Sequence, residues 1–198
     1  MHFSRCTSAM SKFEPMVKIV NVVVSVTLQH KLDLEAIVKA FPFVKYRRKQ
    51  FPGAVFRLRK PKTVTLLFGT GKMVCVGAKS EKEAKKAVQK VIKELKRGGI
   101  LMTGKPDIAI QNIVANVDLG RTIDLVEFCE SEKRSGGRVI YEPEQFPAII
   151  YRMSEPKAVV LIFASGKLVC TGTKKEQEVY IAVNKLLRKL QEQGFVYE

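Results

Sequence analysis

Four phenylalanines and two asparagines stand at positions that recur along this chain, and their types and spacing are the ones that could do chemistry. Phe51 and Phe68 return 95 residues later as Phe146 and Phe163, and Asn21 returns 91 residues later as Asn112. The chemistry they offer is non-covalent. A phenyl ring beside a proline or a hairpin turn can stand out as a wedge, and an asparagine inside a valine-rich strand, where it is a poor strand former, supplies a donor and an acceptor. Groups for covalent or metal chemistry are sparse. The chain has two histidines, His2 and His30, and neither a metal-ligand cluster, a nucleophile elbow nor a phosphate loop is present in the sequence. Cys6, Cys75, Cys129 and Cys170 make neither CxxC pairs nor a dense disulfide framework. Cys75 and Cys170 hold equivalent strand positions and read as small core residues rather than nucleophiles. The pattern argues against an enzyme and calls for no cofactor.

Charge points to the kind of partner. Lys and Arg number 35 against 19 Asp and Glu, a formal net charge of +16, which makes a polyanion, most commonly nucleic acid, the default ligand. The surplus is lopsided. Residues 1–105 hold 23 basic and 6 acidic side chains, about +17, whereas residues 106–198 hold 12 and 13, about −1. With 46% apolar residues the chain can bury a real core. No apolar run approaches the roughly 18 residues of a membrane span, and the first residues lack a signal peptide's apolar stretch, so a soluble protein of a reducing compartment, with no membrane partner, is expected.

The elements that must position these residues come in two copies. Phe51 to Lys79 and Phe146 to Lys174 agree at 14 of 29 positions, and Ile19 to Leu28 returns as Ile110 to Leu119. The expected organisation is a tail over 1–16, a first repeat over 17–104 and a second over 105–198. Four extra residues in the second copy fall between Leu119 and Tyr141, in the polar, glycine-bearing Ser131 to Arg138, which reads as a loop. Each copy opens with a strand, in which Val22, Val24 and Val26 alternate with Asn21, Val23 and Ser25. A short helix follows from Asp33, or from Asp124, and a β meander then turns at Gly69-Thr70-Gly71, or Ala164-Ser165-Gly166. Closing helices are signalled by Ser80-x-x-Glu83 and Thr173-x-x-Glu176, with apolar stripes at helical spacing.

Helices with one apolar face need a sheet face to cover, which leaves the other sheet face bare. Alternation places Val23, Leu66, Phe68, Val74 and Val76 there in the first copy, and Val114, Leu161, Phe163, Val169 and Thr171 in the second. An apolar bare face on so basic a chain marks a binding site, or a surface packed against another domain or a second copy. A single-stranded RNA module would need exposed aromatics for stacking, and a flat valine-rich face suits a duplex groove better.

At these residues the chain resembles the TATA-box-binding proteins, in their archaeal form, from Ile19 to Phe195. QNIVANVDL, FPAIIYRM and the paired FGTGKMVCVG and IFASGKLVCTG stretches carry the resemblance, and their duplicated occurrence makes it specific. It implies an α+β pseudo-two-fold saddle of two β-α-β-β-β-β-α repeats: one curved, ten-stranded antiparallel sheet with helices on the convex face and DNA on the concave one. It places DNA wedges at Phe51, Phe68, Phe146 and Phe163, minor-groove asparagines at Asn21 and Asn112, and an apolar floor at Val23, Leu66, Val74, Val114, Leu161 and Val169. The family's threonine pair is half kept, as Thr171 against Val76. Phosphate contacts fall on Arg57, Lys72, Arg152 and Lys167. The chemistry agrees: A·T pairs show the minor groove only acceptors, to which an asparagine amide can donate.

Before the wedge phenylalanine, Tyr46-Arg47-Arg48-Lys49-Gln50 is replaced by Tyr141-Glu142-Pro143-Glu144-Gln145. In the resembled family this second loop receives transcription factor B through acidic residues. Glu142 and Glu144 match, and Gln145 stands where many eukaryotic relatives have leucine. The implied function is a general transcription factor that bends TATA-box DNA and recruits transcription factor B and RNA polymerase. The implied location is the archaeal cytoplasm, on the nucleoid, or the nucleus in a eukaryote.

Overall fold

A computed structural model describes residues 14–197, so most of the expected tail, with His2 and Cys6, lies outside the described residues. In chain order the first half runs β1 (Met16–Thr27), α1 (Leu34–Ala40), β2 (Lys45–Tyr46), β3 (Gly53–Leu58), β4 (Thr63–Phe68), β5 (Lys72–Ala78) and α2 (Glu81–Arg97). The second runs β6 (Asp107–Asp118), β7 (Thr122–Ile123), α3 (Leu125–Arg134), β8 (Arg138–Ile140), β9 (Ala148–Met153), β10 (Ala158–Phe163), β11 (Lys167–Thr173), α4 (Glu176–Glu192) and β12 (Val196–Tyr197). Ten strands form one antiparallel sheet in the order β2-β3-β4-β5-β1-β6-β11-β10-β9-β8. That order reads the same from either end once the halves are exchanged. The sheet is curved, with the helices on its convex face, as the family resemblance implied.

The halves join through β1 and β6. Asn21 lies opposite Val114 and Val23 opposite Asn112, and because each residue is 91 positions from its counterpart, the two pairs are images of one another. Above this seam, Val22, Val24 and Ile113 are wholly buried under the helices, with Ala84, Val88 and Val91 of α2 and Val179, Val183 and Leu186 of α4. The helices also meet at their first turns. The Glu176 N–H donates to Glu81 Oε1 at 2.8 Å, and the Glu81 N–H donates in return to Glu176 Oε1. Each carboxylate thereby sits at the electropositive start of both helices.

Two expectations need correction. Ser80 does cap α2, accepting from the Glu83 N–H at 3.0 Å, but the second cap is Lys175, not Thr173. Thr173 is a buried residue of β11, and the glutamate that serves the second helix start is Glu178, accepting from the Lys174 and Lys175 N–H groups. The 95-residue repeat maps Ser80 and Glu83 onto Lys175 and Glu178, so the hydroxyl of Thr173 suggested a cap two residues early. The four extra residues are not simply loop either. Glu132 to Arg134 extend α3 three residues beyond the length of α1, and only 135–137 lie between it and β8.

The extension has a packing reason, because it carries Glu132 into the core. This wholly buried carboxylate is paired with Lys189 of α4, and the Lys189 Nζ lies 3.5 Å from the Tyr151 hydroxyl. Burial pulls the Lys189 ammonium downward, but hydrogen bonding to Glu132 and the field of Tyr151 more than offset it, and the group ends above its ordinary value. The repeat counterparts of Tyr151 and Lys189 are Phe56 and Glu94, and the first half has an aromatic cluster of Phe41, Phe43 and Phe56 in that place. A second small sheet, β7 with β12, has no sequence signal long enough to announce it.

Cys75 and Cys170 both face this covered side and are fully buried. Burial alone pushes the Cys170 thiol up from 9.0 to about 11. An unfolded thiol therefore loses its proton across a range in which the folded one keeps it, and stability falls as pH rises from about 9 to about 11, by about 2–3 kcal/mol for this group. Urea midpoints measured at pH 8 and pH 10.5 test this. Cys170→Ala is expected to lower stability at both, yet to lose distinctly less between them than the parent, and an equal loss would refute the assignment.

Candidate nucleic-acid interface

The open face is built in rows that the strand registers fix. Val55 of β3 lies opposite Leu66, which lies opposite Val74, and Ile150, Leu161 and Val169 repeat that row in the second half. The next row runs Arg57, Val64, Val76, and returns as Arg152, Val159, Thr171. Side chains of one row share a face, since successive residues in a strand alternate. Except for the exposed arginines, all of them are half-buried, as are Val23 and Val114 at the seam, while most of their strand neighbours, among them Val22, Ala54, Thr65, Cys75, Ile113, Ile149, Val160 and Cys170, are buried under the helices. Reasoning from sequence missed Val55, Val64, Ile150 and Val159. Their signal was available, because each alternates with a core residue in a strand whose partners were already placed.

The asparagines are held by the backbone of the neighbouring strand. The Gly77 N–H donates to Asn21 Oδ1 at 2.8 Å, and the Gly172 N–H donates to Asn112 Oδ1 at 2.8 Å. Each glycine sits at a break in the ladder with φ of +97° or +90°, a left-handed conformation that turns its N–H out of the strand pairing and toward the asparagine. A backbone N–H can only donate, so the atom it meets must be the amide oxygen. The amide nitrogens are left as donors at the middle of the open face. In the second half the Thr171 hydroxyl lies 3.1 Å from Asn112 Nδ2 and 3.2 Å from its Oδ1. Val76 offers Asn21 no such partner.

At the outer parts of the face the aromatic rings stand in pairs. Phe51 and Phe68 meet edge to face with centroids 5.8 Å apart, and Phe146 and Phe163 with centroids 6.0 Å apart. Phe51 and Phe146 remain 36% and 38% exposed, unusual for a phenylalanine in a packed pair. Gly53 makes room for the first pair, since a Cβ there would stand 2.7 Å from the Phe51 ring, whereas the second half accommodates Ala148.

The charged residues lie around this floor. Lys72 and Lys167 are exposed at the starts of β5 and β11, opposite Thr27 and Asp118 respectively. Glu142, Glu144 and Gln145 are exposed in the turn before Phe146, where the Gln145 and Phe146 N–H groups both donate to the Glu142 carbonyl at 2.9 Å. The matching first-half turn folds alike, with the Gln50 and Phe51 N–H groups donating to the Arg47 carbonyl. Two loops of one shape thus carry opposite charge.

Among the described residues no group of three or more His, Cys, Asp or Glu could hold a metal ion, and no helix is long and apolar enough to cross a membrane. The arrangement defines a duplicated β-saddle whose ligand must meet a sheet: hydrocarbon, two fixed amide donors and an aromatic pair toward each side. The sequence profile of the family described as "Transcription factor TFIID (or TATA-binding protein, TBP)" matches residues 16–98 and again 107–193. The TATA-box-binding protein of Sulfurisphaera tokodaii is 49% identical over 91% of this chain and 89% of its own length. That of Pyrodictium occultum is 46% identical over 94% and 92%. The solved structure of Methanococcus jannaschii TBP superposes with a TM-score of 0.77 at 46% identity, covering 89% of this chain and 98% of that one. The chain belongs to the TATA-binding protein family.

The turn that sets Phe163 and Lys167 in place depends on Gly166. Its φ is +75°, its N–H donates to the Phe163 carbonyl, and a Cβ would lie 1.8 Å from the Arg121 carbonyl oxygen. Gly166→Ala is expected to cost more than about 3 kcal/mol in chemical denaturation, because backbone must move as well as twist. Gly99→Ala, at φ +78° with open space around it, isolates the conformational part at about 1 kcal/mol. Equal costs for the two would remove the close approach from the explanation.

Proposed function

We propose that this chain is a general transcription factor that binds TATA-box duplexes in the minor groove, bends them, and recruits transcription factor B and, through it, RNA polymerase. The observation that carries the reading is the pair of backbone-clamped asparagines set in a hydrocarbon floor. A·T pairs present only acceptors in the minor groove, so two amide donors are matched there, and the guanine amino group would be pressed against valine and leucine. The curated relatives are named for that DNA element, which favours the same ligand.

The ring pairs suit a bending role. Apolar wedges inserted between base steps unstack them and kink the duplex toward the major groove, a deformation for which TATA-binding proteins are themselves the type example. Arg57, Arg152, Lys72 and Lys167 supply phosphate contacts that position without reading sequence. A preference for duplex over single-stranded RNA follows from the floor, where valines rather than stacking rings hold the centre. One titration tests these points together. A TATA duplex end-labelled with two dyes should bind far better than its G·C-substituted form or single-stranded RNA, and bend on binding. Phe163→Ala should weaken binding by about 2–4 kcal/mol and reduce the bend, whereas tighter binding to RNA would sink the proposal.

Recruitment is assigned to the second turn. Glu142 and Glu144 give a basic partner an attraction that Arg47 and Lys49 repel, so the partner docks on one half only. Reversing both glutamates to lysine should leave DNA binding intact or slightly stronger, while abolishing the ternary complex with purified transcription factor B in a gel shift. A normal ternary complex from the double mutant would reassign the docking site.

A further inference from the structure

The centre of the open face is chemically unequal in its two halves, and the inequality has a consequence for which base pairs each half tolerates. On both sides a left-handed glycine clamps the asparagine oxygen at the same 2.8 Å. What differs is the neighbour, a valine at 76 and a threonine at 171, in equivalent rows beside Val64 and Val159. The two side chains have nearly the same shape, so the difference is one hydroxyl in place of one methyl.

That hydroxyl has two settings, because its oxygen lies within reach of both ends of the Asn112 amide. It can accept from Nδ2 and point its own hydrogen into the groove, as a donor to adenine N3 or thymine O2. Alternatively it can donate to Oδ1 and turn a lone pair to the groove. In the second setting it is an acceptor, the group that the guanine amino hydrogens require. The first half has no second setting. Asn21 presents hydrogens and Val76 presents hydrocarbon, so a guanine amino group placed there is buried without an acceptor.

We infer that the Thr171 half accepts a G·C pair at the centre of the bound site and the Val76 half rejects it, which makes this pair of residues a determinant of sequence tolerance and of docking direction. The inference rests on the minor-groove reading above. On a duplex with one central G·C pair in an otherwise A·T site, the protein docks with Thr171 over that pair. On a duplex with both central positions G·C, one amino group is necessarily stranded, with an expected loss of about tenfold or more in affinity.

The experiment measures Kd by fluorescence anisotropy for the wild type, Val76→Thr and Thr171→Val on three duplexes carrying none, one or two central G·C pairs. The sequence-dependent cost of bending belongs to the duplex and cancels when variants are compared on the same DNA. Both substituted positions are half-exposed, and thermal melting confirms that each variant is folded. The wild type should lose little on the single substitution and about tenfold on the double. Val76→Thr should lose little on either, and Thr171→Val about tenfold on the first and about a hundredfold on the second. Equal losses for the wild type and Val76→Thr on the doubly substituted duplex overturn the inference. Failure of the wild type to prefer the all-A·T duplex over a G·C-rich one would overturn the groove reading itself, and this inference with it.

Discussion

The antiparallel pairing of β1 with β6 is the contact on which the rest of the molecule depends. It converts two sheets with exposed edge strands into one ten-stranded sheet, and so removes the open edge that each half would otherwise present. It makes one continuous core beneath α2 and α4, in which Val24 and Ile113 are buried from both sides of the seam. It also sets the spacing of the two asparagines, since Asn21 and Asn112 are held in strands whose register is locked by the buried valines between them. A slip of one residue would turn Val22, Val24 and Val26 out of the core and bury Asn21. The geometry of the open face is therefore a by-product of the hydrophobic alternation on the covered one.

Much of this was legible because repetition makes one sequence act as two. The strands and the bare face rest on period-two patterns seen twice, the turns on glycines that recur at the repeat offset, and the structure reproduces those elements and brings the four recurring phenylalanines together in two pairs. What escaped lies where the halves stop agreeing or where a contact joins distant residues. Glu132 looked like a loop glutamate because its partner Lys189 is 57 residues away and its own segment has no first-half counterpart. The second helix cap was misplaced because a hydroxyl at 173 outweighed the repeat register. The clamp on the asparagine oxygens could not be read at all, since a glycine in a valine-rich strand suggests a bulge without saying where its N–H will point.

Electrostatics divides the halves more sharply than shape does. The backbone turns before Phe51 and Phe146 form the same two hydrogen bonds, yet one carries Arg47, Arg48 and Lys49 and the other Glu142 and Glu144. The same split runs through the cores, with a phenylalanine cluster on one side and a buried Glu132 paired with the partly exposed Lys189 on the other. Breaking that pair by removing Lys189 would leave a carboxylate buried without its counter-ion, whereas the aromatic cluster carries no such liability. The two repeats have equal outlines and different vulnerabilities.

The exchange between Glu81 and Glu176 is closed under the repeat, because each glutamate is the other's counterpart and each serves the other's helix. A pair of identical half-length chains could satisfy the same contact, and the same β1–β6 seam, by two-fold symmetry. In such a pair any substitution would appear at both sites at once, so a threonine could never face a valine, nor an acidic loop a basic one. Joining the halves in one chain leaves the fold as symmetric as before and frees the surface from that symmetry. A polarity along the DNA, which a symmetric dimer cannot define, becomes something that single substitutions can write.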